Sequence, residues 1–207
     1  MRHRHTTPFE MVEFKFHCKM PIFVARQWVR HRTANINEYS LRYSEARDEF
    51  YLPDPEHIQF QSSLNKQGRL GEVSDSLKAK VSDYFQEISN RSFEIYSELN
   101  DAGVARELAR AVLPVNLYTE WYWKNDLHNL LHFVGLRSDS HAQYEIRVFS
   151  DAMAESVKKV APFAWEAYQD YVISGLRFSR IEQSLLEQNL PERVIDDILE
   201  DIAYQIT

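Results

Sequence analysis

The longest helical pattern in the sequence constrains the fold most, because it commits a long continuous stretch of the chain to one element. From Val73 to Leu99 apolar residues recur every three or four positions, and Gly103 follows just past the end. This spacing is typical of an amphipathic helix. The apolar stripe of this helix is expected to face the core and consists of Leu77, Val81, Phe85 and Ile88.

Short stretches of alternating or aromatic residues indicate a small sheet beside this helix. Residues 12–17 and 36–43 alternate between apolar and polar side chains, and residues 116–124 are rich in aromatic, strand-favouring residues. Side chains of a strand repeat their direction every two residues. Glu38, Ser40 and Arg42 are therefore predicted to project from one face of an extended segment.

The remaining patterns predict further helices around one core. Pro21 and Pro162 each mark a helix start, since proline is tolerated at the first helical position. The expected helices cover residues 22–29, 104–113, 126–136 with Asn125 as N-cap, 138 or 139 to 160, and a stretch from 162; residues 54–71 are expected to be a polar loop. The sequence thus predicts a single helix-rich α+β domain over residues 1–207, with an acidic helical tail, 181–207, broken at Pro191.

The overall composition excludes several classes of protein. The formal net charge of −7 and a pI near 5.6 argue against general nucleic-acid binding. No apolar run approaches the roughly 20 residues that a membrane-spanning helix needs. The single cysteine, Cys18, cannot form an internal disulfide, so a reducing cytoplasm is the expected location.

A cationic segment stands out on this acidic chain. Between Arg26 and Arg47 there are five arginines, one histidine and no lysine. Guanidinium groups bind phosphate and carboxylate through paired hydrogen bonds, whereas lysine offers only a point charge. Taken alone, Arg30, His31 and Arg32 could simply complement the dipole at the end of a helix. Together with the polar residues that follow, they favour a phosphate-binding site.

Two other features have competing interpretations. His128 and His132 lie four residues apart, a spacing that can hold zinc from one helix face. The glutamate of a zinc protease motif is missing between them, so a pair that lines a ligand cleft is preferred and no metal is expected. Cys18 has no activating partner nearby in the sequence and is interpreted as structural.

Several motifs, in order, resemble those of flavin-dependent thymidylate synthases. The family signature is Arg-His-Arg followed by seven residues and Ser, which here is Arg30–Arg32 and then Ser40. The resemblance covers roughly residues 5–165. The other matching segments are His5–Glu10, Pro21–Trp28, Ala109–Pro114 and Leu136–Gln143.

The resemblance implies a reaction, its cofactors and a set of site residues. Members convert dUMP to dTMP with methylenetetrahydrofolate as one-carbon donor and NADPH-reduced FAD as hydride source, without a cysteine nucleophile. The residues implied to bind flavin are His5, Thr7, Arg30, His31, Arg32, Glu38, Asp126, His128 and His132. Those implied to bind dUMP are Gln27, Glu38, Ser40, Leu41, Arg42, Arg110 and Arg137, with Arg137 as the catalytic group facing the pyrimidine.

The resemblance also implies an assembly and leaves alternatives open. Members are homotetramers with shared active sites, so the same is expected here, with dUMP, folate and NADPH as partners. Relatives usually carry a strand and a helix ahead of the segment at His5, so the chain is short at its front, and His128 stands where an arginine is common. A flavin-dependent pyrimidine-nucleotide hydroxymethylase and a non-catalytic nucleotide- or RNA-binding module are the alternative functions.

Overall fold

The structure is a computed structural model that describes Met1 and residues 4–63 and 68–189. It confirms the predicted α+β class. The strands are β1 (Glu13–Pro21), β2 (Asn35–Glu38), β3 (Gln59–Gln61), β4 (Arg69–Glu72) and β5 (Tyr118–Asp126). The helices are α1 (Thr7–Glu10), α2 (Ile22–Trp28), α3 (Asp75–Asp101), α4 (Arg106–Ala109), α5 (Leu127–Arg137), α6 (Tyr144–Val160), α7 (Pro162–Tyr168) and α8 (Arg180–Asn189). The predicted break at Pro191 and the rest of the acidic tail lie outside the described residues.

The main sheet has the order β1–β5–β2, with both neighbours antiparallel to β5. Along β5 every second side chain is buried, which is the pattern of a strand with one face on the core. Cys18 of β1 pairs with Trp121, and Ile36 of β2 pairs with Trp123. Cys18 is buried, and burial raises the pKa of its thiol to about 11.

An aromatic cluster fills the space between the sheet and the helices behind it. Trp28, at the end of α2, is fully buried. Its ring centroid lies 5.5 Å from that of Trp121, 5.2 Å from Trp123 and 4.9 Å from Phe133 of α5. Aromatic rings contribute the largest buried areas in most cores. The cluster therefore fixes α2 and α5 on the same side of β5.

The second alternating segment is only partly a strand. β2 ends at Glu38, and residues 41–44 form a turn, so the prediction of an extended run to residue 43 is wrong. The Ser40 hydroxyl accepts a hydrogen bond from the Arg42 backbone N–H at 3.3 Å, which is the local geometry that serine favours in turns. The common face predicted for Glu38, Ser40 and Arg42 consequently does not form.

Helix boundaries shift from the prediction where local capping decides them. Asp126, not Asn125, is the N-cap of α5, because the Asp126 carboxylate accepts from the Asn129 backbone N–H at 2.8 Å. The helix expected over residues 104–113 is reduced to α4 and a single 3₁₀ turn, Arg110–Val112. α6 begins at Tyr144, later than predicted, whereas α7 begins at Pro162 as predicted.

The long helix is confirmed, but half of the apolar stripe that was expected to face the core is exposed. In α3 Leu77 is 40% exposed and Ile88 is 55% exposed. The buried residues of α3 are instead Ser89, Ser92 and Tyr96, in its second half. Half of the apolar stripe therefore remains at the surface of the single chain. Within the described residues, no helix is long and apolar enough to cross a membrane.

Residues 54–71, predicted to be a polar loop, contain the β3–β4 hairpin. A buried ion pair ties this hairpin to α6. Glu145, in the first turn of α6, is 5% exposed and accepts two hydrogen bonds from Arg69 Nη2, at 2.8 and 2.6 Å. The Tyr51 hydroxyl donates to the same carboxylate at 2.9 Å. Burial alone would raise the pKa of Glu145, but these donors outweigh burial and hold the pKa below its ordinary value.

Replacing Glu145 with glutamine is expected to lower the free energy of unfolding by about 2 kcal/mol. Breaking a buried ion pair typically costs about 3–5 kcal/mol, and the one-third exposure of the Arg69 side chain reduces that figure. Urea titration followed by circular dichroism measures the change. Glu155→Gln, in an exposed pair with Lys158, is the control and is expected to leave the free energy of unfolding nearly unchanged, because solvent screens an exposed ion pair. Equal effects of the two variants would contradict the structural role given to Glu145.

Candidate functional site

The Arg30–Thr33 segment is held between α2 and β2. Trp28 anchors the end of α2 in the aromatic cluster, and the His31 backbone N–H donates to the Trp28 carbonyl at 2.9 Å. The chain then enters β2 at Asn35, which pairs with Lys124 of β5. Because both ends of the segment are fixed, its arginine and histidine side chains are placed beside the end of β5 and the exposed side of α5.

A cavity of about 340 Å³ lies between this segment and α5. We refer to it as the RHR cavity. It brings together two parts of the sequence that are about a hundred residues apart. Three arginines give it a strongly cationic wall, which suits an anionic ligand. Its lining residues are Arg30, His31, Arg32, Thr33, Trp123, Asn125, Asn129, His132, Leu136 and Arg137.

His31 and Arg137 are in direct contact within the RHR cavity. Arg137 Nε donates a hydrogen bond to His31 Nε2 at 2.9 Å, so the imidazole accepts at this atom and is neutral. The His31 ring also lies edge-on against Phe133, with centroids 4.9 Å apart. Burial, followed by the positive charges of Arg137 and His132, lowers the pKa of His31 to about 4. Burial also lowers the pKa of Arg137.

The low pKa of His31 predicts how the stability of the fold depends on pH. Above its ordinary value of about 6.5 the imidazole is neutral in both folded and unfolded chains, and its contribution to stability is complete. That contribution is lost as pH falls from about 6.5 towards 4, because the unfolded chain binds the proton first. Replacing Arg137 with glutamine removes a positive neighbour and is expected to raise the pKa of His31, as measured by NMR titration of the histidine ring.

The control for this titration is Arg91→Gln, an exposed arginine of α3 that pairs with Glu94. It is expected to leave the His31 pKa unchanged. Because burial is the largest cause of the shift, the His31 pKa in the Arg137 variant should remain below about 6.5. An unchanged His31 pKa in that variant would contradict the contact described here.

A second cavity, of about 450 Å³, lies beside α4. We refer to it as the α4 cavity. Arg42 Nη2 donates to Glu107 Oε2 at 3.0 Å across it, and Arg110 Nε donates to the Glu107 carbonyl at 3.4 Å. Its lining residues are Arg42, Ala105, Glu107, Leu108 and Arg110. Two guanidinium groups therefore converge here, with a carboxylate already paired to one of them.

The structure groups some of the predicted site residues and separates others. Of the predicted flavin-binding set, Arg30, His31, Arg32 and His132 line the RHR cavity. Arg137, predicted to face the pyrimidine, lines it as well, whereas Arg42 and Arg110 of the predicted dUMP set line the α4 cavity. The predicted residues that line neither cavity are His5, Thr7, Gln27, Glu38, Ser40, Leu41, Asp126 and His128.

Two of these residues have other side-chain partners, and a third is buried without one. Glu38 Oε1 accepts from the Thr119 hydroxyl at 2.7 Å. Both carboxylate oxygens of Asp126 accept from Asn129, so Asp126 serves as the helix cap. Gln27 Oε1 is buried and has no hydrogen-bond partner in the described part of the chain. Among the described residues, no group of three or more His, Cys, Asp or Glu could hold a metal ion.

Sequence reasoning missed the floor of the RHR cavity. Trp123 and Asn125 lie two residues apart in β5 and are both buried. The sequence carries no clear signal for this role, because the predicted strand ends at residue 124 and an asparagine before a helix is typical of an N-cap.

Comparison with known proteins gives a consistent result. A family model described as thymidylate synthase complementing protein matches residues 1–163. The flavin-dependent thymidylate synthase of Ehrlichia ruminantium (strain Gardel) is 53% identical over 188 residues, which cover 91% of this chain and 63% of that protein. The flavin-dependent thymidylate synthase of Rickettsia typhi is 50% identical, with coverage of 95% and 72%.

A solved structure shares the fold. The UMP/dUMP methylase PolB from Streptomyces cacaoi, in a crystal structure with 5-Br UMP, superposes with a TM-score of 0.78 at 35% identity, covering 83% of this chain and 80% of that one. The chain spans 63% of the length of the Ehrlichia relative. The family match and the identities over most of the chain confirm the resemblance found in the sequence: the chain belongs to the flavin-dependent thymidylate synthase family.

Proposed function

We propose that the protein converts dUMP to dTMP, with methylenetetrahydrofolate as one-carbon donor and NADPH-reduced FAD as hydride source. The observation that carries this proposal is the RHR cavity, which three arginines line together with a neutral histidine. The relatives named above carry the name of this activity, and PolB is titled a methylase of UMP and dUMP. A buried lone thiol at Cys18 is consistent with a reducing cytoplasm.

The RHR cavity suits part of a flavin nucleotide. Arg30 and Arg32 can bind a diphosphate bidentately, and the neutral His31 adds no further charge. A volume of about 340 Å³ falls at the small end of ligand pockets, so it accommodates one portion of a dinucleotide. When bound, the flavin supplies the hydride that completes the methyl group. In this proposal His132 lies beside the flavin, and His5, Thr7, Glu38, Asp126 and His128 remain predicted contacts.

Arg137 is the residue proposed to act on the pyrimidine. Its Nε is held by His31, while its two terminal nitrogens have no hydrogen-bond partner within the described ranges. A guanidinium fixed in this way can stabilise negative charge that develops on uracil O4 or O2. Such stabilisation would make carbon 5 nucleophilic without a covalent bond to the enzyme.

The α4 cavity is proposed to bind the dUMP phosphate. Arg42 and Arg110 together match a phosphate dianion, which would replace the Glu107 carboxylate as the partner of Arg42. The exposed Arg42–Glu107 pair is weak, so its loss costs less than about 1 kcal/mol. Ser40, Leu41 and Gln27 are the other predicted dUMP contacts.

A homotetramer with shared active sites is part of the proposal. The residues expected to hold one dUMP molecule are divided between two cavities, with Arg137 in one and Arg42 and Arg110 in the other. A second copy of the chain can bring the two sets together. The exposed apolar residues of α3, such as Leu77 and Ile88, offer a surface for that contact. Light scattering is expected to give the mass of a tetramer. A monomer that binds FAD would contradict the proposed assembly.

The reaction is tested by spectroscopy and product mass. The purified chain with FAD is expected to be yellow, and incubation with dUMP, methylenetetrahydrofolate and NADPH is expected to give dTMP. A product heavier than dTMP by one oxygen atom would identify the hydroxymethylase instead. A chain that stays colourless with FAD, and binds RNA with affinity that falls steeply with salt, would identify the non-catalytic module.

A further inference from the structure

The floor of the RHR cavity contains an asparagine with no evident structural purpose. Asn125 is 4% exposed, and both its carboxamide nitrogen and its carboxamide oxygen lack a hydrogen-bond partner in the described part of the chain. Buried polar groups are nearly always paired, because an unpaired group loses its hydration without compensation. An apolar residue would pack at this inward position of β5 without that cost.

Other polar residues that line the same cavity do not supply the missing partners. Asn129, which also lines the RHR cavity, donates its side-chain N–H to Asp126 at 2.7 Å. His31 Nε2 already accepts from Arg137. Trp123, two residues before Asn125 and on the same face of β5, likewise has an indole N–H without a partner among the described residues. The indole N–H groups of Trp28, Trp121 and Trp165 are unpaired as well, but these residues line neither cavity. Asn125 and Trp123 are the residues with unpaired buried groups that line the RHR cavity in the described part of the chain.

The unpaired groups of Asn125 match a particular kind of ligand edge. A carboxamide presents a donor beside an acceptor, and it pairs with ring edges that present an acceptor beside a donor, as when asparagine binds adenine. The amide-like edges of uracil and of the flavin ring have the same character. The guanidinium groups of Arg30 and Arg32, by contrast, suit phosphate. The cavity therefore offers separate groups for the two parts of a nucleotide.

We propose that Asn125 hydrogen-bonds the heterocyclic ring edge of the nucleotide held in the RHR cavity, with the Trp123 indole N–H as a second donor. The inference rests on the proposed function for the identity of that nucleotide. Both polar atoms of Asn125 are closed to solvent, so the contact requires rotation of the carboxamide towards the cavity. The terminal torsion of asparagine has a broad, shallow energy profile, which permits that rotation. Asn125 is thus retained for recognition at the expense of stability.

The test separates recognition from packing by measuring both. Asn125→Leu removes the unpaired groups, so the urea midpoint is expected to stay the same or rise. The affinity for the nucleotide is expected to fall at least tenfold. Asn125→Ala removes the same groups without adding bulk, and it is expected to show the same loss of affinity. The control is Asn100→Leu in α3, whose buried side-chain oxygen also lacks a partner but lines neither cavity. It should leave affinity unchanged.

Three probes identify the ring. Binding of riboflavin, ADP and dUMP to the 207-residue chain is followed by tryptophan fluorescence. A loss confined to riboflavin assigns the contact to the flavin ring, a loss confined to ADP to adenine, and a loss confined to dUMP to uracil. Unchanged affinity of both variants for every probe that the wild type binds overturns the inference and leaves the proposed function standing. A wild-type chain that binds none of the probes overturns both.

Discussion

Replacing Arg137 with lysine is expected to lower kcat for dTMP formation by about 100- to 1,000-fold, the range found when one preorganised donor is removed from a site of developing charge. Lysine keeps the charge but not the planar arrangement of N–H groups. Arg137 Nε holds His31 at 2.9 Å, which fixes the direction of the terminal nitrogens. A lysine ammonium would lose the contact with His31 that orients the guanidinium, so its position in the RHR cavity would vary.

The division of the effect between kcat and KM decides the role of Arg137. Stabilisation of charge on the pyrimidine predicts a fall in kcat, whereas uniform binding of dUMP predicts a rise in KM alone. Arg91→Lys, on the exposed surface of α3, is the matched control and is expected to retain full activity. His31→Ala keeps the guanidinium but removes its anchor, and a smaller loss of kcat is expected. A rise in KM with unchanged kcat in Arg137→Lys would contradict the catalytic assignment.

The sequence predicted those strands and helices whose residue pattern follows directly from local strand or helix geometry. The alternation in β1 and the aromatic run in β5 identified two neighbouring strands, and Pro162 marked the start of α7. Arginine spacing and family motifs identified most of one wall of the RHR cavity. These features are local, or are carried by short ordered motifs, and can be read without knowing the partner element.

The features that depend on a distant partner were not predictable. Alternation continues past Glu38, but the strand ends where pairing along β5 stops, and the turn at residues 41–44 redirects Arg42 towards Glu107. The apolar stripe of α3 has the same periodicity whether it packs against the core or against another chain. The sequence therefore could not predict that Ile88 is exposed. Asn125 looked like a cap because capping is the commonest use of asparagine before a helix. Its inward register becomes visible only from the pairing of β5.

Replacing Trp28 with alanine is expected to lower the free energy of unfolding by about 3–5 kcal/mol, the largest effect on stability anticipated for a single residue here. Trp28 is fully buried and contacts the rings of Trp121, Trp123, Phe133 and Phe149. Removing the indole leaves a cavity among large rings that can close only in part. Urea titration followed by tryptophan fluorescence and circular dichroism measures the loss.

The same substitution is expected to weaken FAD binding even in the fraction that stays folded. Phe133 stacks on Trp28 and lies edge-on against His31, so it links the core to the RHR cavity. Without Trp28, Phe133 can shift, His31 loses part of its burial, and the pKa of His31 rises from about 4. Phe163→Ala, at an exposed aromatic of α7, should change neither quantity. Phe133 is the contact that joins the core to the RHR cavity. Normal FAD affinity and an unchanged His31 pKa in folded Trp28→Ala would therefore show that this link has no effect and that the core and the cavity are independent.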